Sequence, residues 1–239
     1  MLRKLVQTTT DFIAWIKRGR KINKENFKHL CGGSIKINIG CGLAVVPGWI
    51  NIDSSINTFF AKCPTFFHKF LYKFSNSKQW YALDEYCNVL KKNIFLHHDL
   101  KFGLPFSDKS VDYVYTSHFI EHLFKEEATQ ILKETYRVLK EGGIIRICVP
   151  DLEVAIGYYL AKDRERFLSY FFANSRSKDF GHRHMYDFDL LKKMLIEIGF
   201  VNVRKCPYRE GSIPDVNKLD SRPGDSLHVE AEKPVKGKR

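Results

Sequence analysis

The stretch Ile35-Lys-Ile-Asn-Ile39 alternates apolar and polar residues as a strand does, and it runs directly into Gly40-Cys41-Gly42. A strand that ends on a glycine pair brings bare backbone close to a ligand, where a side chain would collide. A Pro47-Gly48 turn then leads to a second short strand, Trp49-Ile-Asn-Ile-Asp53, which ends on an acid. From residue 94 strands and helices alternate. Ile94–His97 is a strand ending near Asp99, and Val111–Thr116 alternates. Ala128, Ile131, Leu132, Thr135, Val138 and Leu139 follow helical spacing and stop at Gly142-Gly143. Ile144–Val149 is an apolar strand broken only by Arg146. A helix with Leu190, Leu191, Met194, Leu195 and Ile198 on one face ends at Gly199, and Phe200–Cys206 and Ser226–Ala231 are the final strands. Such alternation predicts a doubly wound α/β sheet, largely parallel and covered on both faces.

A chain of 239 residues suits one such domain with appendages. With 44% hydrophobic and 28% charged residues, global disorder is excluded. No apolar run approaches the roughly 20 residues of a membrane-spanning helix. The N-terminal apolar stretch is interrupted and lacks a small-residue cleavage site, so no cleaved signal peptide is expected. Six cysteines (Cys31, Cys41, Cys63, Cys87, Cys148, Cys206) lie far apart without a CxxC, and read as reduced thiols of a cytoplasmic protein.

The net charge of +12 sits at the periphery. Residues 1–30 carry eight Lys/Arg against two acids, residues 54–93 six against two, and residues 231–239 four against one. The rest of the chain is close to neutral. Ten of the 33 aromatic residues fall within 54–93. The expected organisation is a basic helical extension over 1–30, a domain over 31–232 with an aromatic-rich insertion at 54–93, and a basic tail over 233–239. Basic appendages around a balanced centre suit docking to an anionic surface, such as peripheral contact with a membrane, better than threading nucleic acid through a site.

The acids at the strand ends have a chemistry of their own. Asp53 is placed to accept both hydroxyls of a ribose, and Asp99 to accept from an adenine amino group. A dinucleotide fingerprint GxGxxG would need glycine where Val45 stands, with its ribose acid about 20 residues on. Asp53 comes too soon after Gly40 for that. The segments DLKFGLPFSDKSVDYV and SHFIEHL follow, and RVLKEGGIIRICVP after them.

In this order the motifs resemble the class I S-adenosylmethionine-dependent methyltransferases over roughly residues 35–230. GCG-x5-GWINID, VPDLE, GHRHMYD and DSLHVEAE are similar to small bacterial and archaeal methyltransferases linked to cell-surface glycan synthesis. The resemblance implies a Rossmann-like sheet of seven strands, mostly parallel with the last antiparallel, and S-adenosylmethionine as cofactor. It implies that Asn38, Gly40, Cys41 and Gly42 line the methionine and ribose side. Asp53 would hold the ribose, Asp99 and Leu100 the adenine, and Ser117 the methionine end. One departure stands out. Only six residues separate Gly42 from Trp49, too few for the helix normally found there, so the aromatic insertion or the N-terminal helix must complete that wall.

Methyl transfer to a hydroxyl needs alignment of the acceptor and removal of its proton, which histidine suits near neutral pH. Candidates are His118 and His122 after the fourth strand, His182 and His184 in a loop before a helix, and Asp151 after the fifth strand. His118 is the preferred base, His182-x-His184 the preferred acceptor contact, and Asp151 a partner for a histidine or a sugar hydroxyl. Glu121-His122 alone does not define a metal site, and none is predicted. The expected reaction is O-methylation of a sugar, glycan or lipid-linked precursor. Two alternatives stay open: an RNA methyltransferase anchored by its basic appendages, and a catalytically inert cofactor-binding partner subunit. Against the RNA reading, no Asn/Asp-Pro-Pro-aromatic sequence follows the fourth strand.

Overall fold

The computed structural model describes residues 33–172 and 181–237. The basic helical extension expected over residues 1–30 lies outside them. Seven strands form one sheet: β1 (Lys36–Ile39), β2 (Ile50–Asp53), β3 (Ile94–His97), β4 (Val111–Ser117), β5 (Leu139–Pro150), β6 (Val201–Lys205) and β7 (Ser226–Glu232). Their order is β3-β2-β1-β4-β5-β7-β6. The first five run parallel, and β7 runs antiparallel to both neighbours. The eight α-helices described are α1 (Ile56–Phe60), α2 (Thr65–Phe74), α3 (Leu83–Lys92), α4 (Lys125–Val138), α5 (Leu152–Leu160), α6 (Arg164–Phe171), α7 (Phe188–Ile198) and α8 (Val216–Leu219).

Strand alternation sends the aliphatic residues to one face. Ile37, Ile39, Ile50, Ile52, Val114, Ile147 and Val229 meet Ile131 and Leu132 of α4 and Leu191 and Leu195 of α7 in the main core. α7 is bounded as its sequence dictates: the Asp187 carboxylate accepts the Leu190 N–H at its start, and Gly199 closes it at φ 114°. Leu190, expected on its buried face, is exposed.

The opposite face is more polar. Asn38 donates to the Asn51 side chain at 3.1 Å, and Trp49 and Tyr115 pack beside Cys148. Arg146 explains the break in the apolar run of β5. It is fully buried on this face, with its guanidinium bound to Asp220 and Glu230, both about as buried.

The Gly142-Gly143 pair does not stop a helix. α4 ends at Val138, and Leu139 already pairs with Val111 inside β5. The register shifts between there and the Tyr113–Ile144 pair, with Gly142 at φ 76°, so the glycines form a bulge within a long strand.

Parallel strands leave β1 toward β2 on one side and continue through β4 on the other. The sheet therefore reverses its winding between β1 and β4, and a ligand crevice is expected at the carboxyl ends of these strands.

Candidate active site

The carboxyl ends of β1 to β4 converge on a cleft of about 560 Å³, lined in part by Gly40, Asp53, Asp99, Leu100, Phe119 and Ile131. That volume suits a small-molecule cofactor. Gly40 leaves β1 at φ 65°, and its N–H donates to the Ile52 carbonyl at 2.9 Å. A Cβ built on Gly40 would lie 2.1 Å from Cγ of Phe119, so both the backbone angle and the aromatic neighbour require glycine.

Asp53 ends β2 with each carboxylate oxygen engaged once. One accepts the Gly42 N–H at 2.9 Å and the other the Ser55 N–H at 2.7 Å. A carboxylate has about four acceptor sites, so both oxygens keep capacity for a diol. Asp99 accepts the Lys101 N–H at 3.0 Å, with the Lys101 ammonium 2.7 Å from its other oxygen. Two acids and the apolar flanks of Leu100 and Ile131 on one cleft fit a nucleoside.

Four of the eight residues assigned to the cofactor, Gly40, Asp53, Asp99 and Leu100, lie on this wall. Asn38, Cys41, Gly42 and Ser117 do not. Asn38 is buried on the other face of the sheet, where its amide ties the Ala44 carbonyl and Asn51. Cys41 is turned into a cluster with Tyr86, Cys87 and Leu90, and burial pushes its thiol pKa up, with Asp53 adding to the shift. Gly42 acts through its backbone on Asp53. Ser117 is half-buried at the end of β4, beside Cys148 in register.

Residues 40–49 contain no helix. The segment between β2 and β3 packs there instead: its Tyr72, Tyr81 and Leu83 join Leu43 around the Cys41 cluster, and the Tyr81 hydroxyl donates to the Leu43 carbonyl at 3.3 Å. The aromatic residues thus build part of the wall that a helix would otherwise supply.

The histidines divide into two groups. His118 sits at φ 50°, left-handed backbone that a non-glycine residue seldom adopts. Its Nε2 lies 3.1 Å from the Ser226 hydroxyl and its Nδ1 3.3 Å from a Glu121 oxygen. Glu121 follows in a 3-10 turn, Ile120–His122, and is fully buried. Its backbone carbonyl accepts the N–H groups of Arg183 and His184, which pins the later loop against this turn. His122 and His182 consequently face each other, ring centroids 5.0 Å apart. Burial lowers the His182 pKa, opposed by the Glu121 charge.

His184 and Asp151 fall outside this cluster. The alternation in His182-Arg183-His184 turns the second imidazole onto Tyr186 at 4.7 Å, where desolvation lowers its pKa. The Asp151 carboxylate accepts the Glu153 N–H at 3.0 Å, capping α5, and its other oxygen lies 3.3 Å from the Lys205 ammonium. Among the described residues it makes no hydrogen bond to a histidine.

Several cleft residues escaped the sequence reading. His98 and Phe119 line it, as do Glu126 and Gln130 on α4. Glu126 and Gln130 are four apart on a helix whose apolar stripe was legible, so their shared edge could have been found. Phe119 gave no signal, because its role lies in contact with a residue far away in sequence.

This sheet order, with its cleft at the reversal, is the fold of S-adenosylmethionine-dependent methyltransferases. A family model described as a methyltransferase domain matches residues 66–147. Among solved structures, the S-adenosylmethionine-dependent methyltransferase SibL in its apo form superposes with a TM-score of 0.50 at 13% identity, covering 98% of this chain and 57% of SibL. A possible exported protein from Bordetella parapertussis gives 0.50 at 13% identity, covering 89% and 68%. A SAM-dependent methyltransferase from Archaeoglobus fulgidus is 18% identical over 97% of this chain and 94% of its own, with a TM-score of 0.46. No curated protein matches in sequence. S-adenosylmethionine is the methyl donor of this class of fold, and the acidic cleft fits it.

Proposed function

We propose that this chain is an enzyme that transfers a methyl group from S-adenosylmethionine to an oxygen of a sugar, glycan or lipid-linked precursor. The observation that carries the reading is the placing of Asp53 and Asp99 on one cleft beside the bare backbone of Gly40. Asp53 and Asp99 would hold the adenosine, and the turn after β4 would face its sulfonium tail. In the transfer the acceptor oxygen forms a bond to the methyl carbon as the carbon–sulfur bond breaks. S-adenosylmethionine would supply the activated methyl group and leave as a neutral thioether, and the acceptor's proton must leave.

His118 takes that proton. Its Nδ1 faces the Glu121 carboxylate, which orients the ring, and its Nε2 faces the Ser226 hydroxyl. Incubation with methyl-labelled donor and a panel of glycans and lipid-linked sugars tests the reaction. The expected result is label in an alkali-stable ether on a sugar oxygen. Label in RNA alone would favour the nucleic-acid reading, and cofactor binding without transfer the inert partner.

A lipid-linked acceptor would sit at a membrane, and α2 has the surface to meet one. Phe66, Phe70 and Phe74 repeat every four residues on its outward face and are 64%, 51% and 59% exposed, with Trp80 beyond them at 79%. Lys69 and Lys73 flank the stripe, and no acidic residue occurs between Ser54 and Leu83. Aromatic rings with lysines at their edge suit the headgroup region of an anionic bilayer. Among the described residues no helix is long and apolar enough to cross a membrane.

A further inference from the structure

A second cavity, of about 470 Å³, lies between the start of α2, the end of α3 and the first residues of the edge strand β3. Its lining shares no residue with that of the cofactor cleft. Leu90 and Phe95, both buried, supply its apolar part, and the exposed Lys62 and Lys91 also line it. No acidic residue does.

Two buried acceptors on this lining lack a donor. His68 is 1% exposed, and its Nε2 lies 3.1 Å from the Phe60 carbonyl. A carbonyl can only accept, so the ring proton sits on Nε2 and Nδ1 keeps a lone pair. Among the described residues nothing donates to that Nδ1. Asn93 repeats the arrangement. Its amide nitrogen donates to the Val89 carbonyl at 2.9 Å, which turns Oδ1 the other way, and Oδ1 has no partner among the described residues. A buried acceptor left without a donor is costly, so the cavity calls for hydroxyl or amine groups. Its charge calls for an anion. The two lysines are joined by the start of α2, where Thr65 lines the cavity and no side chain caps the helix. Uncapped N–H groups of a first turn beside two ammonium groups favour a phosphate.

We propose that this cavity binds a phosphorylated sugar. The sugar hydroxyls donate to His68 Nδ1 and Asn93 Oδ1, and the phosphate meets Lys62, Lys91 and the first turn of α2. A bare phosphate would leave the apolar part and the acceptors unmet, and a neutral sugar would leave the lysines unmet. The site goes beyond the methyl transfer proposed above and rests on no part of it.

Calorimetric titration of the full-length chain with glucose 6-phosphate, inorganic phosphate and glucose tests the site, with and without saturating adenosylhomocysteine. The expected result is one glucose 6-phosphate per chain, bound more tightly than phosphate or glucose and unaffected by adenosylhomocysteine. Lys62→Glu with Lys91→Glu changes only exposed side chains and should weaken binding roughly tenfold or more. His68→Gln lets an amide nitrogen reach the Phe60 carbonyl but removes the Nδ1 acceptor. It should lower glucose 6-phosphate affinity about fivefold and leave that for inorganic phosphate unchanged. No heat from glucose 6-phosphate with the folded parent would overturn the site, as would parental affinity in the lysine double variant. Inorganic phosphate binding as tightly as the sugar phosphate would also overturn it. Competition by adenosylhomocysteine would do the same, by placing the ligand in the cofactor cleft. If adenosylhomocysteine fails to bind while glucose 6-phosphate does, the methyltransferase reading falls and this site stands.

Discussion

At the scale of single residues, Arg146 shows how far a charge can go into a sheet when its partners come with it. The guanidinium reaches Asp220 and Glu230 and also the carbonyls of Glu210 and Pro207, at 3.0 and 3.1 Å. Removing it leaves the buried Asp220 without its arginine and Glu230 with Arg204 alone as its cation. Arg146→Leu should therefore cost about 3–5 kcal/mol despite the better match in hydrophobicity, as read from urea unfolding. Gly40 is constrained from two sides, and Gly40→Ala should displace Phe119 and lower adenosylhomocysteine affinity at least tenfold in titration calorimetry. Asp53 and Asp99 were legible because a strand end exposes whatever residue follows it. Asn38 and Asp151 were not, because short polar side chains can satisfy themselves on neighbouring backbone: Asn38 on Ala44, Asp151 on Glu153. The histidine cluster was half legible. His118 and His122 share one segment, but only the fold brings His182 to them and turns His184 away.

At the scale of elements, hydrophobic period sufficed where one rule acted alone. Ile94–His97 is β3 residue for residue, and β4 and β7 each run one residue past their expected ends. The pattern misled at Gly142-Gly143, where two glycines serve a bulge as readily as a helix end. It was silent on what α2 faces. A ten-residue helix with its phenylalanines outward inverts the usual amphipathic arrangement, in which the apolar stripe meets the core. The chain should sediment with vesicles containing phosphatidylserine and not with phosphatidylcholine alone, and salt should weaken the association. Phe66→Ser with Phe70→Ser should abolish sedimentation without lowering the melting temperature, since both rings are exposed. Equal sedimentation by the double variant would assign α2 no part in docking.

At the scale of the whole molecule, the winding of the sheet was readable from element order, because alternating strands and helices leave few alternatives. The acceptor was not readable. A fold of this kind hosts many chemistries and does not fix which acceptor meets its cleft. Titration gives another property of the whole. Burial lowers the pKa of His98 and His228 below 6.5, so the unfolded chain takes up protons that the folded one resists. Stability should fall as pH drops below about 6.5. Hydrogen bonds from Arg137 hold Glu134 below its ordinary 4.5, which adds a further loss as pH falls below that value. Melting temperatures measured from pH 7.5 to 4 should therefore decline steadily toward acid; a flat profile would contradict the burial of these groups.

The most direct measurement is calorimetric titration of the full chain and of Asp53→Ala with adenosylhomocysteine. A nucleoside held along Asp53 and Asp99 predicts one molecule bound per parent chain and no detectable binding by a variant that remains folded. No heat with the parent chain, or the same affinity in both proteins, would contradict it.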